Sequence, residues 1–270
     1  MKRQLLSCIH INMKFAWRNR LPVVLGCLFL GMALLTSLPA MFLVTAGKHL
    51  FLLRHLVSTL TGFVYWLTGA LALMTLSHHL RNRSAKLILT KPCPLEVWLL
   101  SNFLSVFAIA CGLYLAVLVI GLGLAAIWSL PVQMGLAYVT LNEFCRTMII
   151  CSYLTLLTVV CHPVVAVMVT LMLQEGTFYY ALLWLSAGLN ATEFSAVHPI
   201  LHTLKYVVQP LYFILPSYAP YAHESETLYA SLRIAPGDMA RLGYTVLYAL
   251  CVASLCFWLS DAALRRKRLT

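Results

Sequence analysis

Long apolar runs separated by shorter polar stretches dominate the chain. A helix needs roughly 20 mainly apolar residues to cross about 30 Å of hydrocarbon. Six stretches meet that requirement: 21–46, 51–76, 95–130, 136–160, 163–189 and 239–264. Pro131 stops the third, because a proline pushes the residue before it out of the helical region. Cys161-His162-Pro163 closes the fourth. Gly237-Asp238 precedes the sixth as an N-cap, where a short carboxylate takes the first orphan amides. The pattern predicts an all-α, polytopic membrane protein, a single domain with six transmembrane helices.

Three segments fall outside those runs. In residues 1–20, Leu5, Leu6, Ile9, Met13, Ala16 and Trp17 recur at helical spacing, while Arg3, Ser7, Lys14 and Arg18 point elsewhere. That spacing describes a basic amphipathic helix lying in a membrane interface; the plainer alternative is a frayed basic tail. Residues 77–96 include HHLRNRSAKLILTKPCPLE. There Ser84 can cap a short helix over about 85–90, Pro92 ends it, and Pro94 suits the first turn of the next. Leu87-Ile88-Leu89 are too apolar for a solvated tether, so this helix docks into a soluble partner or packs against the protein's own helix ends or the lipid interface. In residues 190–238, Ile200, Leu201, Leu204, Val207 and Val208 predict an amphipathic helix over 199–209. Beyond it Pro210, Pro216, Pro220 and Pro236 interrupt the chain, with Tyr212, Tyr218 and Tyr221 as interfacial aromatics.

Composition agrees with the pattern. The chain is 61% hydrophobic and 10% charged, with a mean hydropathy of +0.87, whereas soluble domains carry about 25% charged residues. A soluble core cannot absorb that excess. Charge then sets orientation, since cytoplasmic segments collect Lys and Arg. Of the 19 basic residues, thirteen stand before the first run, between the second and third, or after the sixth. An even number of crossings puts all three groups on one side. Both termini are therefore expected to be cytoplasmic, and most of the net charge of +11 is expected to face anionic headgroups rather than nucleic acid. The basic residues continue to Arg20 without a preceding apolar stretch, so the N-terminus does not read as a signal peptide. The nine cysteines form no CxxC and read as small reduced hydrophobes.

Motifs for chemistry are sparse. There is no GxSxG, HExxH or GxGxxG, and no phosphate loop of the GxxxxGK type, so the chain is not expected to be an enzyme or to bind nucleotide itself. His198 and His202 stand at i, i+4 with His223 further on, but no acid joins them at ligand spacing, and no metal site is expected. Within the spans, ionisable residues are costly and face protein or water. Glu143 and Arg146, at i, i+3 in the fourth span, can neutralise each other in a helix–helix tie near its outer end. Glu175 interrupts the fifth span near its middle and either lines a hydrated path or reaches an aqueous surface through a helix break.

The ordered features resemble the six-span permeases of ABC-2 type transporters. The resemblance lies in the basic stretch ending at Lys14-Phe15-Ala16-Trp17-Arg18-Asn19-Arg20, the loop from Arg83 to Pro92, and the His162-Pro163 turn. The long segment before the last span and the close from Phe257-Trp258 to Arg268 complete it. The family's acid and glycine ahead of the loop leucines are replaced here by basic residues and Ser84, and its Gly-Lys at the start of span three by Ser101-Asn102. The resemblance implies export across the bacterial cytoplasmic (inner) membrane. It implies pairing with a second permease copy or a homologous permease, within lipid and above a soluble ABC ATPase dimer. ATP and Mg would sit on that partner and no cofactor on this chain. Docking would fall to Ser84, Ala85, Lys86, Leu87, Ile88, Leu89 and Lys91, together with Leu5, Ile9, Met13, Trp17 and Arg18 of the interfacial helix. Two other classes stay open: a non-transporting assembly or anchoring subunit of an ATPase-linked maturation system, and an intramembrane enzyme built on Glu175 or the outer histidines.

Overall fold

The computed structural model describes residues 2–18, 24, 26–28, 31–32, 35, 49–81, 94–131, 133–172, 175–191, 197–214 and 238–269. Every regular element among them is helical: α1 (Lys2–Arg18), α2 (His49–Arg81), α3 (Leu95–Ile127), α4 (Gln133–Val160), α5 (Pro163–Met172), α6 (Glu175–Ala191), α7 (His198–Ile214) and α8 (Asp238–Leu269). Four stretches are long and apolar enough to cross a membrane: His49–Ser77, Leu95–Ile127, Met134–Val160 and Met239–Arg266. They correspond to the second, third, fourth and sixth expected spans. Most of the first, 21–46, lies outside the described residues, and the seven of its positions that are described are helical. The fifth is represented by α5 and α6, on either side of residues 173–174. Residues 82–93 of the expected 77–96 coupling loop and the segment 215–237 also lie outside the described residues.

Helix ends follow local chemistry. The Pro94 carbonyl accepts from the amides of Val97 (3.0 Å) and Trp98 (3.2 Å), and Glu96 places a carboxylate at the positive end of the α3 dipole. At the other end, the Ser129 amide bonds Ala126 (3.1 Å) and the Leu130 amide bonds Ala125 (2.9 Å), with Ser129 at φ 53°. This 6→1 and 5→2 pair closes the helix at Ile127, three residues before the expected end at 130, with a serine in the left-handed position that glycine usually fills. At the turn after α4, His162 Nδ1 accepts from the Val164 amide (3.3 Å), and Pro163 follows as the first helical residue.

Three apolar layers hold α2, α3, α4 and α8 together and fix their directions. In one end layer Leu53, Val57 and Leu60 at the start of α2 pack with Leu136 and Val139 at the start of α4 and with Val117 and Ala125 near the end of α3. Leu242, early in α8, joins them. In the opposite layer Leu76, Val159 and Leu264, late in α2, α4 and α8, surround Trp98, Leu99 and Phe103 at the start of α3. Thus α2, α4 and α8 run one way and α3 the other. Gly69 and Gly121 let neighbours approach: a Cβ would meet Leu154 at 3.3 Å and Val57 at 3.4 Å respectively. Buried hydroxyls are satisfied within their own helices, as in Thr68 to the Val64 carbonyl (2.7 Å) and Thr158 to the Leu154 carbonyl (2.6 Å). Without such bonds they would be costly in hydrocarbon. Outside this bundle, α1 packs along the start of α3, α5 against α4, and α7 against α6, where Leu201 closes on Gly188.

Candidate functional site

Two polar assemblies break the apolar bundle. The first fastens its Trp98 end. From α1, the Asn12 amide donates to Ser101 Oγ (3.1 Å) and to Asn102 Oδ1 (3.2 Å). Those partners are themselves fixed on α3, because the Ser101 hydroxyl (2.7 Å) and the Asn102 amide (3.3 Å) both donate to the Trp98 carbonyl. Behind Asn102 a small cleft lined by Thr75, Phe107, Cys151 and Thr155 separates α2, α3 and α4. At the same end Arg265 of α8 donates through Nε to Asp261 (2.7 Å) and through Nη2 to Glu96 of α3. Arg265 and Glu96 are exposed whereas Asp261 is buried, so the outer of these ion pairs adds little stability. They do bring the last turns of α8 beside the first turn of α3.

The second assembly crosses the middle of the bundle. Arg146 lies twelve residues past Met134 and fourteen before Val160, about 18 Å and 21 Å at 1.5 Å per residue. Counted along the helix, the Glu143–Arg146 pair falls near the middle of that apolar stretch. Nη1 of Arg146 donates to Glu143 Oε2 at 3.4 Å, and the guanidinium carbon stands 4.8 Å from the Tyr65 ring centroid on α2. Glu143 is only 4% exposed, whereas the Arg146 side chain keeps 30% of its surface open. Next to them Tyr114 of α3 shares a 2.7 Å hydrogen bond with Thr147 and donates to the Thr61 carbonyl of α2 (3.4 Å). Three helices thus meet through polar side chains where the surroundings are otherwise apolar.

The expected site residues divide unevenly. Ser84, Ala85, Lys86, Leu87, Ile88, Leu89 and Lys91 lie outside the described residues. Leu5, Ile9, Met13, Trp17 and Arg18 all fall on α1; Leu5 and Ile9 are half-buried, while Leu6 at 66% is open. Glu175 is the first residue of α6. His198 and His202 stack at 6.0 Å, and no group of three possible metal ligands occurs among the described residues. Sequence reading missed Asn12, Tyr65, Tyr114, Thr147 and the Glu96–Arg265–Asp261 set. One signal was available: with only eight acidic residues in the chain, each acid at a span needs a partner.

No protein-family model matches the chain, and neither a curated protein nor a solved structure matches it. Its class rests on the bundle itself: an all-helical integral membrane protein whose polar contacts concentrate at mid-depth and at one end.

Proposed function

We propose that the chain is the permease subunit of an ATP-binding cassette transporter of the ABC-2 type, an exporter driven by a separate soluble ATPase dimer. One observation carries the reading. Asn12 fastens α1 to the first turns of α3, next to the point where the 82–93 loop enters that helix. With α1 held at the bundle end where α2 finishes at Arg81 and α3 begins at Leu95, this arrangement supports an ATPase-docking surface made by the interfacial helix and the coupling loop.

Helix directions support the six-span topology. His49 at the start of α2 stacks on Trp128 just past α3 (5.2 Å), at the end opposite Asn12. A crossing between α1 and α2 and, since α4 and α8 run parallel, another between Val160 and Asp238 would join these ends. Added to the four described apolar helices, they give the six-span reading, with both termini on the basic, cytoplasmic side. ATP-driven closure of the partner would push on the loop and α1, and the tied helices would tilt as a body.

The test is co-purification. With the native chain an ATPase bearing a phosphate loop should be retained. Replacing Leu87 and Ile88 by Asp should leave insertion intact and lose that ATPase. Retention of the ATPase on the doubly substituted chain would sink the docking assignment.

A further inference from the structure

Arg265, near the end of α8, reaches two carboxylates at once. Its Nε donates to Asp261 Oδ2, one turn back on the same helix, at 2.7 Å, and its Nη2 donates to Glu96 Oε1 on the first turn of α3. The two contacts differ in kind. Asp261 is buried, on the stretch of α8 between Phe257 and Leu264, which both pack into the apolar end layer. Such a carboxylate holds its cation, because separation would leave a buried charge uncompensated. Glu96 and Arg265 are each roughly half exposed, so water and salt compete for their contact and it opens easily.

One acceptor remains. Asp261 Oδ1 is buried and has no hydrogen-bond partner among the described residues. Nε and Nη2 form one edge of the guanidinium fork, and that edge matches the two oxygens of a single carboxylate. Here Nε already sits on Asp261 while Nη2 is turned to Glu96. The unbonded oxygen belongs to the carboxylate that Nε holds, which makes it a second seat for Nη2.

We infer that Arg265 is a two-position latch between α8 and α3. In the closed position, the one seen, Nη2 bridges to Glu96 and holds the start of α3 against the end of α8. In the released position Nη2 turns onto Asp261 Oδ1, the guanidinium forms a bidentate pair within α8, and the start of α3 is free to part from it. Release breaks one exposed contact and makes one buried bond, which keeps the two positions close in free energy, as a switch requires. Glu96 then returns to water. Deeper in the bundle, Phe103 of α3 meets Phe257 of α8 with ring centroids 5.8 Å apart, an apolar pivot for that movement. Because α3 begins at Leu95, the latch lies where the 82–93 segment leads into the helix. That an ATPase works the latch through this segment rests on the permease reading; the two positions of Arg265 do not.

The experiment uses the full chain in phosphatidylcholine nanodiscs without ATP or ATPase, so its failure leaves the docking test standing and the reverse also holds. Hydrogen exchange is followed over the first two turns of α3, where the amides of Val97 and Trp98 bond the Pro94 carbonyl. In the native chain, raising salt from about 0.05 M to about 0.5 M screens the Glu96–Arg265 contact and should speed exchange about threefold. Glu96→Gln should show that faster exchange at low salt and lose the salt response. Asp261→Asn separates a latch from a fixed brace. An amide oxygen is a poorer seat for Nη2, so the latch predicts slower exchange than in the native chain. A brace, losing the carboxylate that steadies Arg265, predicts faster exchange. Should Asp261→Asn fail to insert, the last turns of α8 in Glu96→Gln serve instead. The latch leaves them as protected as in the native chain, because Arg265 has seated on Asp261, whereas a brace loosens both helices alike. Faster exchange in Asp261→Asn, loosening of α8 in Glu96→Gln, or a native chain indifferent to salt would overturn the latch.

Discussion

Arg146 on α4 lies over the Tyr65 ring of α2, with 4.8 Å between guanidinium carbon and ring centroid, near the middle of both spans. The contact ties two helices by a cation against a ring, with Glu143 on the cation's other side. Removing one partner of a buried pair leaves the other charge uncompensated. Arg146→Ala should therefore destabilise by on the order of 3 kcal/mol, and Glu143→Gln combined with Arg146→Gln by clearly less. Thermal unfolding of the purified variants checks the order; equal losses would mean that the pair is not coupled.

Tyr114 of α3 shares a 2.7 Å hydrogen bond with Thr147 of α4 in the bundle interior. Hydrogen bonds between membrane helices average about 0.6 kcal/mol, because the unfolded chain in lipid also finds partners. Tyr114→Phe should cost about that much. A double-mutant cycle with Thr147→Val should return a coupling of the same size, and a coupling near zero would show the bond to be dispensable.

Asn12 of α1 is bonded to the side chains of Ser101 and Asn102 on α3. Asn12→Leu keeps a helix-compatible residue of similar size but leaves Ser101 and Asn102 without that donor. Hydrogen exchange over residues 2–18 should speed up several-fold while α2 to α4 stay protected. Unchanged exchange in α1 would mean that apolar contacts alone hold it.

Ser129 occupies a left-handed backbone position at φ 53° that costs an ordinary residue about 1 kcal/mol relative to glycine. Ser129→Gly should raise stability by up to that amount, and Ser129→Val, β-branched, should lower it. Thermal midpoints of the two variants, which should move in opposite directions, decide the matter.

Sequence made the spans visible because a lipid-crossing helix has only one composition available to it, and the 49–77, 95–127, 134–160 and 239–266 stretches have that composition. The His162-Pro163 turn was visible for a similar reason, since its chemistry is local. Contacts between distant positions were not. Asn12 meets Asn102 across 90 positions and Arg265 meets Glu96 across 169, and no periodicity encodes either. The end of α3 was placed three residues late because Pro131 is a visible stop, whereas the left-handed Ser129 that ends the helix carries no glycine to announce it. The Glu143–Arg146 pairing was legible from spacing. Its contact with Tyr65 on α2 was not, because no spacing in the sequence encodes it.

The central claim is that a soluble ATPase sits beneath this bundle. Cross-linking in native membranes from a photoreactive residue at position 88 tests it most directly, by naming what Ile88 touches. The account predicts one dominant adduct with a soluble protein that carries a phosphate loop, lost when Leu87 is replaced by Asp. Adducts with lipid or with the chain's own helix ends alone, and none with such a protein, would contradict it.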